Sequence, residues 1–510
     1  MAVIDRTISV TDAATQQTPT SRGRRLAAAL LPALVAGVAI GLVMPRGPMT
    51  TGQSVSALLA AVTAGALAGW LLRSRWGAVL APMTFAGVFE LVRLGADGPT
   101  VDALRFDSIG AIAAVIAGRG FDALVILLPM AVAALWAAAA VRERTPAASL
   151  RAGASRALRT ASLMAATLVV LLTAAALVRP ATTEPVLGAD GRPLPGSIAE
   201  LVTIPVGGVD QSLMIRGADV DAPVLLFLEG GPGGTAVGAM RFGGERLEQE
   251  FVVATWDQRG TGRSADVREP IETLTVDQLV ADTIEVTEYL KERFDTSGVY
   301  LVGNSWGTTL GVLAAQQRPD LFHAFVGVGQ MVSQRATDEL MYAESLAYAE
   351  SAGDRAFADR LREIGPPPYD DAMLYPIVLS TNPEWLDYPR ADEYDGRTEY
   401  PANLFVGEYT LTEQIRAGAG LADTYAAVYP QLLGIDFRTQ VPSLEVPVYL
   451  VQGAHEAEGR DVLAREWFEM LRAPVKELVT FEQGGHRAHF DDPVRFAELM
   501  SDVLEATHPQ

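Results

Sequence analysis

Residues 299–310 read Val-Tyr-Leu-Val-Gly-Asn-Ser-Trp-Gly-Thr-Thr-Leu, a short apolar run, a serine flanked at two positions by Gly303 and Gly307, and a stretch suited to a helix. The succession predicts a strand, a sharp turn and a helix, with the Ser305 hydroxyl lifted above the edge of a β-sheet. Such a turn crowds the backbone, and glycine is the residue that leaves room for it. A glycine-serine-glycine spacing alone also fits an ordinary small-residue turn. The strand before it and the helix after it are what single out Ser305 as an expected nucleophile.

A serine hydroxyl becomes an effective nucleophile when a histidine takes its proton, and the resulting imidazolium needs a carboxylate. The chain has five histidines. His486 follows the strand-like run Lys476–Phe481 through Gly484-Gly485, where a base on a loop beyond the last strand is expected. His489 competes with it, but opens the next helical segment and lacks the Gly-Gly approach. His323, at the head of a strand-like run, and His508, in the terminal tail, read as structural. The acid is expected after the run Val446–Gly453, and Glu456 comes first there. Asp461 is the rival, with a helix N-cap as its other reading. The order serine, acid, histidine is that of α/β-hydrolases. Backbone donors for an oxyanion are expected from Gly230-Gly231-Pro232-Gly233-Gly234, which follows the strand-like Leu225–Glu229. Gly231 and Trp306 are the residues whose N–H groups would supply them.

Three stretches, Gly230–Gly234, Asp257-Gln258-Arg259-Gly260-Thr261-Gly262-Arg263-Ser264 and Gly303–Gly307, make residues 200–505 resemble the proline iminopeptidase group of α/β-hydrolases. The resemblance implies release of an N-terminal residue, such as proline, from short peptides, without a cofactor. The chain departs from the family at two positions. Glu229 stands where the family loop usually carries histidine, and Glu456 where the acid is usually aspartate. In that family carboxylates of a helical cap hold the substrate's free amine. The resemblance offers Glu339 and Glu344 for this role, although an exposed helix face accounts for them equally well. Asp257 to Ser264, a turn after the strand Val252–Trp256, also reads as support for the rim of the site.

Charge splits the chain near residue 180. Residues 1–180 carry 16 Lys and Arg against 8 Asp and Glu, and the remainder 24 against 53. The strongly acidic larger part would repel phosphate, which argues against a nucleic-acid partner. The absence of cysteine excludes disulfides, thiolate metal sites and cysteine nucleophiles. No histidine–carboxylate cluster has metal-ligand spacing. Five apolar runs, Ala27–Met44, Ser54–Leu72, Ala78–Val92, Phe121–Val141 and Thr160–Val178, are long enough, or nearly so, to cross about 30 Å of hydrocarbon. The third is the weakest, with Glu90 near its end. Ile109–Ala117 is too short to span, and residues 1–21 read as disordered. Arginines gather before the first run, after the second (Arg73, Arg75) and after the fourth (Arg142, Arg144, Arg151, Arg156, Arg159). By the positive-inside rule this places the N-terminus in the cytoplasm and the acidic part outside.

The expected organisation is therefore an all-α transmembrane region over 22–178, a proline-rich linker over 179–200 that is neither helix nor strand, and an α/β-hydrolase fold with a mostly parallel sheet. Its core is expected over 201–330 and 441–510, interrupted by a helical cap over 331–440. Three functions fit: a membrane-anchored serine aminopeptidase acting on small molecules or short peptides, an esterase or non-peptide amidase with the same residues, and a membrane sensor or transport component with an inactive hydrolase domain. Oligomeric state is not legible in the sequence.

Overall fold

The computed structural model describes residues 19–44, 50–95, 106, 112, 115–141, 150–265, 270–379 and 382–508. It divides into two compact units, one with the described residues of 1–43, 55–95 and 122–174 and most of the apolar helices, the other with those of 44–54, 96–121 and 175–510. In the first, the helices are α1 (Pro19–Val43), α2 (Thr51–Leu72), α3 (Gly77–Val92), α4 (Leu128–Val141) and α5 (Leu150–Leu177). Two π-helical turns, Ile116–Gly120 and Ala123–Leu127, lead into α4. Among the described residues four stretches are long and apolar enough to cross a bilayer: Arg22–Val43, Thr51–Leu72, Gly118–Val141 and Gly153–Leu177. α3 is shorter, at 16 residues, or about 24 Å at 1.5 Å per residue. Most of Ile109–Ala117, and residues 1–18 of the expected disordered segment, lie outside the described residues.

Small residues at a fixed spacing let two apolar helices pack closely, backbone against backbone. Gly65 and Gly69 on α2 face the backbone of α4 so closely that a Cβ would meet Met130 O at 2.0 Å and Ala134 O at 2.1 Å. Gly37 and Gly41 on α1 have the same four-residue spacing, and there a Cβ would stand 3.0 Å from Phe85 O and from Val92 Cγ1 of α3. Two glycine seams thus set these pairings.

The second unit is built on an eight-stranded sheet. Its elements in chain order are β1 (Ile198–Val206), β2 (Val209–Gly217), β3 (Val224–Leu228), α6 (Val237–Gly243), β4 (Val252–Asp257), α7 (Val276–Arg293), β5 (Val299–Asn304), α8 (Trp306–Gln317) and β6 (Phe322–Val328). Then come α9 (Gln334–Ser351), α10 (Arg355–Ile364), α11 (Tyr375–Leu379), α12 (Leu411–Leu432), β7 (Val448–Gly453), α13 (Glu458–Met470), β8 (Lys476–Phe481) and α14 (Pro493–Thr507). The strand order is β1-β2-β4-β3-β5-β6-β7-β8. β1 and β2 pair antiparallel, as do β2 and β4, and every other neighbour is parallel.

Parallel strands covered on both faces read as unbroken apolar runs, and β3 is wholly buried. Its alternate side chains feed two cores: Val224, Leu226 and Leu228 join one with Trp256 and Leu310, while Leu225 and Phe227 join the other with Tyr300 and Phe490. The described segments between β6 and β7 contain helices and no strand, as the broken strand rhythm predicts. One boundary differs from expectation. Strand β1 opens at Ile198, inside the segment read as linker, because Ile198 to Glu200 find open partners on Ile215 to Gly217 of β2.

His489 lies in the second core, 2% exposed, against Phe227, Phe490 and Phe496. Neither ring nitrogen has a hydrogen-bond partner among the described residues. Burial, helped by the charges of Arg487 and His486, holds its pKa well below the ordinary 6.5. The folded state thus keeps it neutral while the unfolded chain takes up a proton, so stability is lost as pH falls below about 6.5. Thermal unfolding followed from about pH 7.5 to 5.5 should show a shallower decline in His489→Phe than in the native protein. The difference can reach about 1.4 kcal/mol per pH unit, and equal slopes would show that His489 does not contribute.

Candidate active site

Ser305 joins β5 to α8 at φ 54° and ψ −121°, a region that side chains enter only when their surroundings force it. Both neighbouring glycines are required by contact. A Cβ on Gly303 would fall 2.4 Å from Gly307 O, and one on Gly307 would fall 2.1 Å from Leu228 O at the end of β3. The Ser305 N–H donates to Val328 O at 3.0 Å, tying the elbow to β6.

The loops after β7 and β8 grip each other through backbone. Ala454 N–H donates to Phe481 O at 2.9 Å and His455 N–H to Gly484 O at 3.0 Å, while a Cβ on Gly453 would lie 2.3 Å from Gly484 O. This clasp delivers Glu456 to His486, with Oε2 and Nδ1 2.5 Å apart. The other carboxylate oxygen accepts from Ala457 N–H at 2.9 Å and Arg460 Nη1 at 2.7 Å. Burial by itself would raise the Glu456 pKa. The charges of His486 and Arg460 and their hydrogen bonds overcome it and hold the group at about 2. Asn304, beside Ser305, donates its amide to Val328 O at 3.1 Å and to His486 O at 3.0 Å, stitching the histidine loop to the elbow. Gly329, at φ +58°, lies under the imidazole, where a Cβ would be 2.8 Å from Nδ1. Gly485 N–H donates to Asp491 at 2.9 Å, and a Cβ there would strike the Tyr388 hydroxyl at 2.4 Å.

On the other side of the elbow, Gly230 comes so close that a Cβ would stand 3.0 Å from Ser305 Cβ. Gly231 and Gly233 have φ of +124° and +93°. The N–H groups of Gly231 and Trp306 have no hydrogen-bond partner among the described residues, which leaves them suited to an incoming oxygen. Glu229 turns back to accept from Gly230 N–H at 3.0 Å. Gln258 bridges the two donor segments, giving its amide to Glu229 O at 2.9 Å and accepting from the Trp306 indole at 3.0 Å. Asp257 is a buried hub: it accepts from Thr235 at 2.6 Å, Arg263 N–H at 2.9 Å and Tyr409 of the cap at 2.9 Å. The Asp257–Ser264 stretch supports the rim, as expected.

Two sequence readings need correction. Asp461 is no N-cap, because α13 already starts at Glu458. Asp461 sits inside the helix in an exposed pair with Arg465. Glu344 is engaged structurally: it accepts from Glu458 N–H at 3.3 Å, Gly459 N–H at 3.4 Å and the Trp385 indole at 2.8 Å, closing the N-terminus of α13. Its neighbour Glu339 is on the exposed face of α9. The buried carboxyl of that helix is Asp338, 1% exposed, which sequence reasoning passed over. Its Oδ1 accepts from Tyr429 at 2.6 Å and Gln334 at 2.8 Å, while Oδ2 has no hydrogen-bond partner among the described residues. The signal was its spacing, since Gln334, Asp338, Met341 and Ser345 form the inward stripe of α9. Arg460 was legible only as Glu456 plus four residues on a helix. Among the described residues no group of three or more His, Cys, Asp or Glu is placed to hold a metal.

A serine on a strained elbow, with an imidazole and its carboxylate on the loops after the last two strands of this sheet, defines the α/β-hydrolase class. A family model described as serine aminopeptidase, S33, matches residues 233–493, and the chain belongs to that family. It is 32% identical over 309 residues to the probable aminopeptidase YbaC of Bacillus subtilis (strain 168), covering 60% of this chain and 96% of that one. It is 36% identical over 102 residues to a proline iminopeptidase of Arabidopsis thaliana, covering 20% and 24%. The solved structure of a proline iminopeptidase-related protein from Thermus thermophilus aligns over 61% of this chain and 98% of its own, at 22% identity and a TM-score of 0.42.

Proposed function

We propose that the protein is a membrane-anchored serine aminopeptidase that releases N-terminal residues from short peptides through an acyl-enzyme. The contact between Glu456 and His486, on loops hydrogen-bonded to the Ser305 elbow, carries the reading. His486 takes the Ser305 hydroxyl proton as Oγ bonds to the scissile carbonyl carbon. The oxyanion accepts from Gly231 and Trp306 N–H. When the C–N bond breaks, the same proton passes to the leaving amine, and water repeats the sequence to free the acid. Glu456, ionised down to about pH 2, orients the imidazole throughout.

An aminopeptidase must also fix a free ammonium group, and Asp338 is the carboxyl we assign to it. Helix α12 lies over the glycine loop, where a Cβ on Gly233 would meet Leu421 O at 2.8 Å and Thr424 Cβ at 2.9 Å. From Thr424 to Tyr429, the partner of Asp338, is about 7 Å along the helix axis. Tyr375, Tyr425 and Tyr429 stand together there, with ring centroids 4.5 Å apart in successive pairs, and aromatic faces suit a cation. Burial pushes the Asp338 carboxyl up to about 7, against hydrogen bonds from Tyr429 and Gln334 and the charge of Arg460. An arriving ammonium would favour its ionised form.

With five crossing helices, the arginines in the first turns of α1, between α2 and α3, and from Arg142 into the first turns of α5 would share one side of the membrane. If the shorter α3 did not cross, the last cluster would be separated from the other two. The positive-inside rule therefore favours a cytoplasmic N-terminus and an extracytoplasmic hydrolase.

Ser305→Ala should lower turnover by about four to six orders of magnitude and abolish labelling by a fluorophosphonate, with the fold retained. Undiminished hydrolysis would remove Ser305 from the mechanism. Asp338→Asn should raise KM for aminoacyl naphthylamides about tenfold or more, as expected for loss of a charged partner, and leave p-nitrophenyl acetate hydrolysis nearly unchanged. Equal effects on both substrates would dissociate Asp338 from the amine, and a native enzyme active only on the ester would point to an esterase. Protease added to intact spheroplasts should digest the hydrolase, whereas digestion only after lysis would place it in the cytoplasm.

A further inference from the structure

Helix α13 and the turn before it carry two carboxylate–arginine pairs at the same i,i+4 spacing. Asp461 and Arg465 are 2.7 Å apart with side chains 26% and 45% exposed, an ordinary surface pair worth little. Glu456 and Arg460 are also 2.7 Å apart, but with side chains 1% and 10% exposed. Burying a guanidinium beside a carboxylate is expensive unless both are fully engaged. Here the engagement is divided. Glu456 gives Oε2 to His486 and Oε1 to Arg460 and Ala457 N–H. Arg460 also reaches the Leu379 carbonyl, the last residue of α11 in the cap, at 3.5 Å. Asp338 on α9 and Tyr425 on α12 also lie within electrostatic reach of Arg460.

We infer that Arg460 is a positioning residue for hydrolysis, holding the Glu456 carboxylate in the one rotation that presents Oε2 to His486 and sharing its negative charge. This rests on the serine-hydrolase reading above. Three consequences follow from removing it. Among the described residues Oε1 then keeps only Ala457 N–H as a donor, so the rotation of the carboxylate is less tightly held. Its negative charge, no longer shared with a guanidinium, then bears more fully on the imidazole. The carbonyl of Leu379 loses a donor from the triad side, so cap and acid are no longer joined through one guanidinium. Arg465 provides an internal comparison, since it has the same spacing and helix but does not touch Glu456.

The full-length protein in detergent serves for the test, with kcat and KM for an aminoacyl naphthylamide measured across pH and fluorophosphonate labelling rates in parallel. Arg460→Met should reduce kcat about 10- to 100-fold, the scale of a misoriented reacting group, with KM nearly constant. The acid-side fall of kcat/KM should move to higher pH. Arg460→Lys, which retains the charge, should recover most of the rate and return the acid-side fall toward its native position. Arg465→Met should match the native enzyme in every respect. A folded Arg460→Met with native kcat and pH profile would overturn the inference while leaving the serine reading intact. If Arg460→Met fails to fold, Arg460→Lys decides, and a Lys variant as slow as Ser305→Ala would show that charge is not what Arg460 contributes. A native protein that neither labels nor turns over would overturn the serine reading and this inference together.

Discussion

Backbone meeting backbone at the carboxyl edge of the sheet is the constraint on which the site depends. Leu228 O is pressed against Gly307, and Gly484 O against Gly453, at distances where a single methyl group would not fit. These contacts fix where the strand ends can lie, and hence where Ser305, Glu456 and His486 can be. The side-chain bonds are laid on a frame already held by main chain, which is why the amide of Asn304 can reach both Val328 and His486 from one position.

Within that frame, charge is distributed unevenly. Glu456 is surrounded by donors and stays ionised to low pH, while Asp338, in the cap, has an oxygen with no hydrogen-bond partner among the described residues and a raised pKa. Burial acts in the same direction on both; the charges of His486 and Arg460, with their hydrogen bonds, reverse it at Glu456, while the neutral donors Tyr429 and Gln334 do not at Asp338. His489 is the third case: a base whose ring nitrogens have no hydrogen-bond partner among the described residues, kept neutral in an aromatic setting. Three buried ionisable groups in one domain therefore sit at different proton affinities for reasons readable from their partners.

The elbow, the glycine loop and the Gly-Gly approach were legible because close backbone contact leaves glycine as the only choice, and glycine spacing survives in sequence as a pattern. The mostly parallel sheet was legible because short strands alternate with helices along the chain, and each helix carries the chain back across the sheet. What escaped was whatever depends on a partner distant in the chain. Glu344 and Glu339 look alike in sequence, and their difference comes from Trp385 and the N-terminus of α13, 41 and 114 residues away. Asp461 looked like a cap because α13 begins three residues earlier, with its first N–H groups satisfied from another helix. Pro193 and Pro195 suggested a linker free of strand, yet pairing with β2 recruited Ile198 as soon as the prolines ended.

Asp257 gives the cap a mechanical property of its own. One buried carboxylate binds Tyr409 of the cap, Thr235 at the end of the glycine loop and the backbone of Arg263. Tyr409 and Thr235 therefore share an anchor, and a displacement of the cap at that corner is transmitted to a residue next to Gly234. Cap and glycine loop are thereby pinned to each other at one buried point, and the position of either there is set by the same carboxylate.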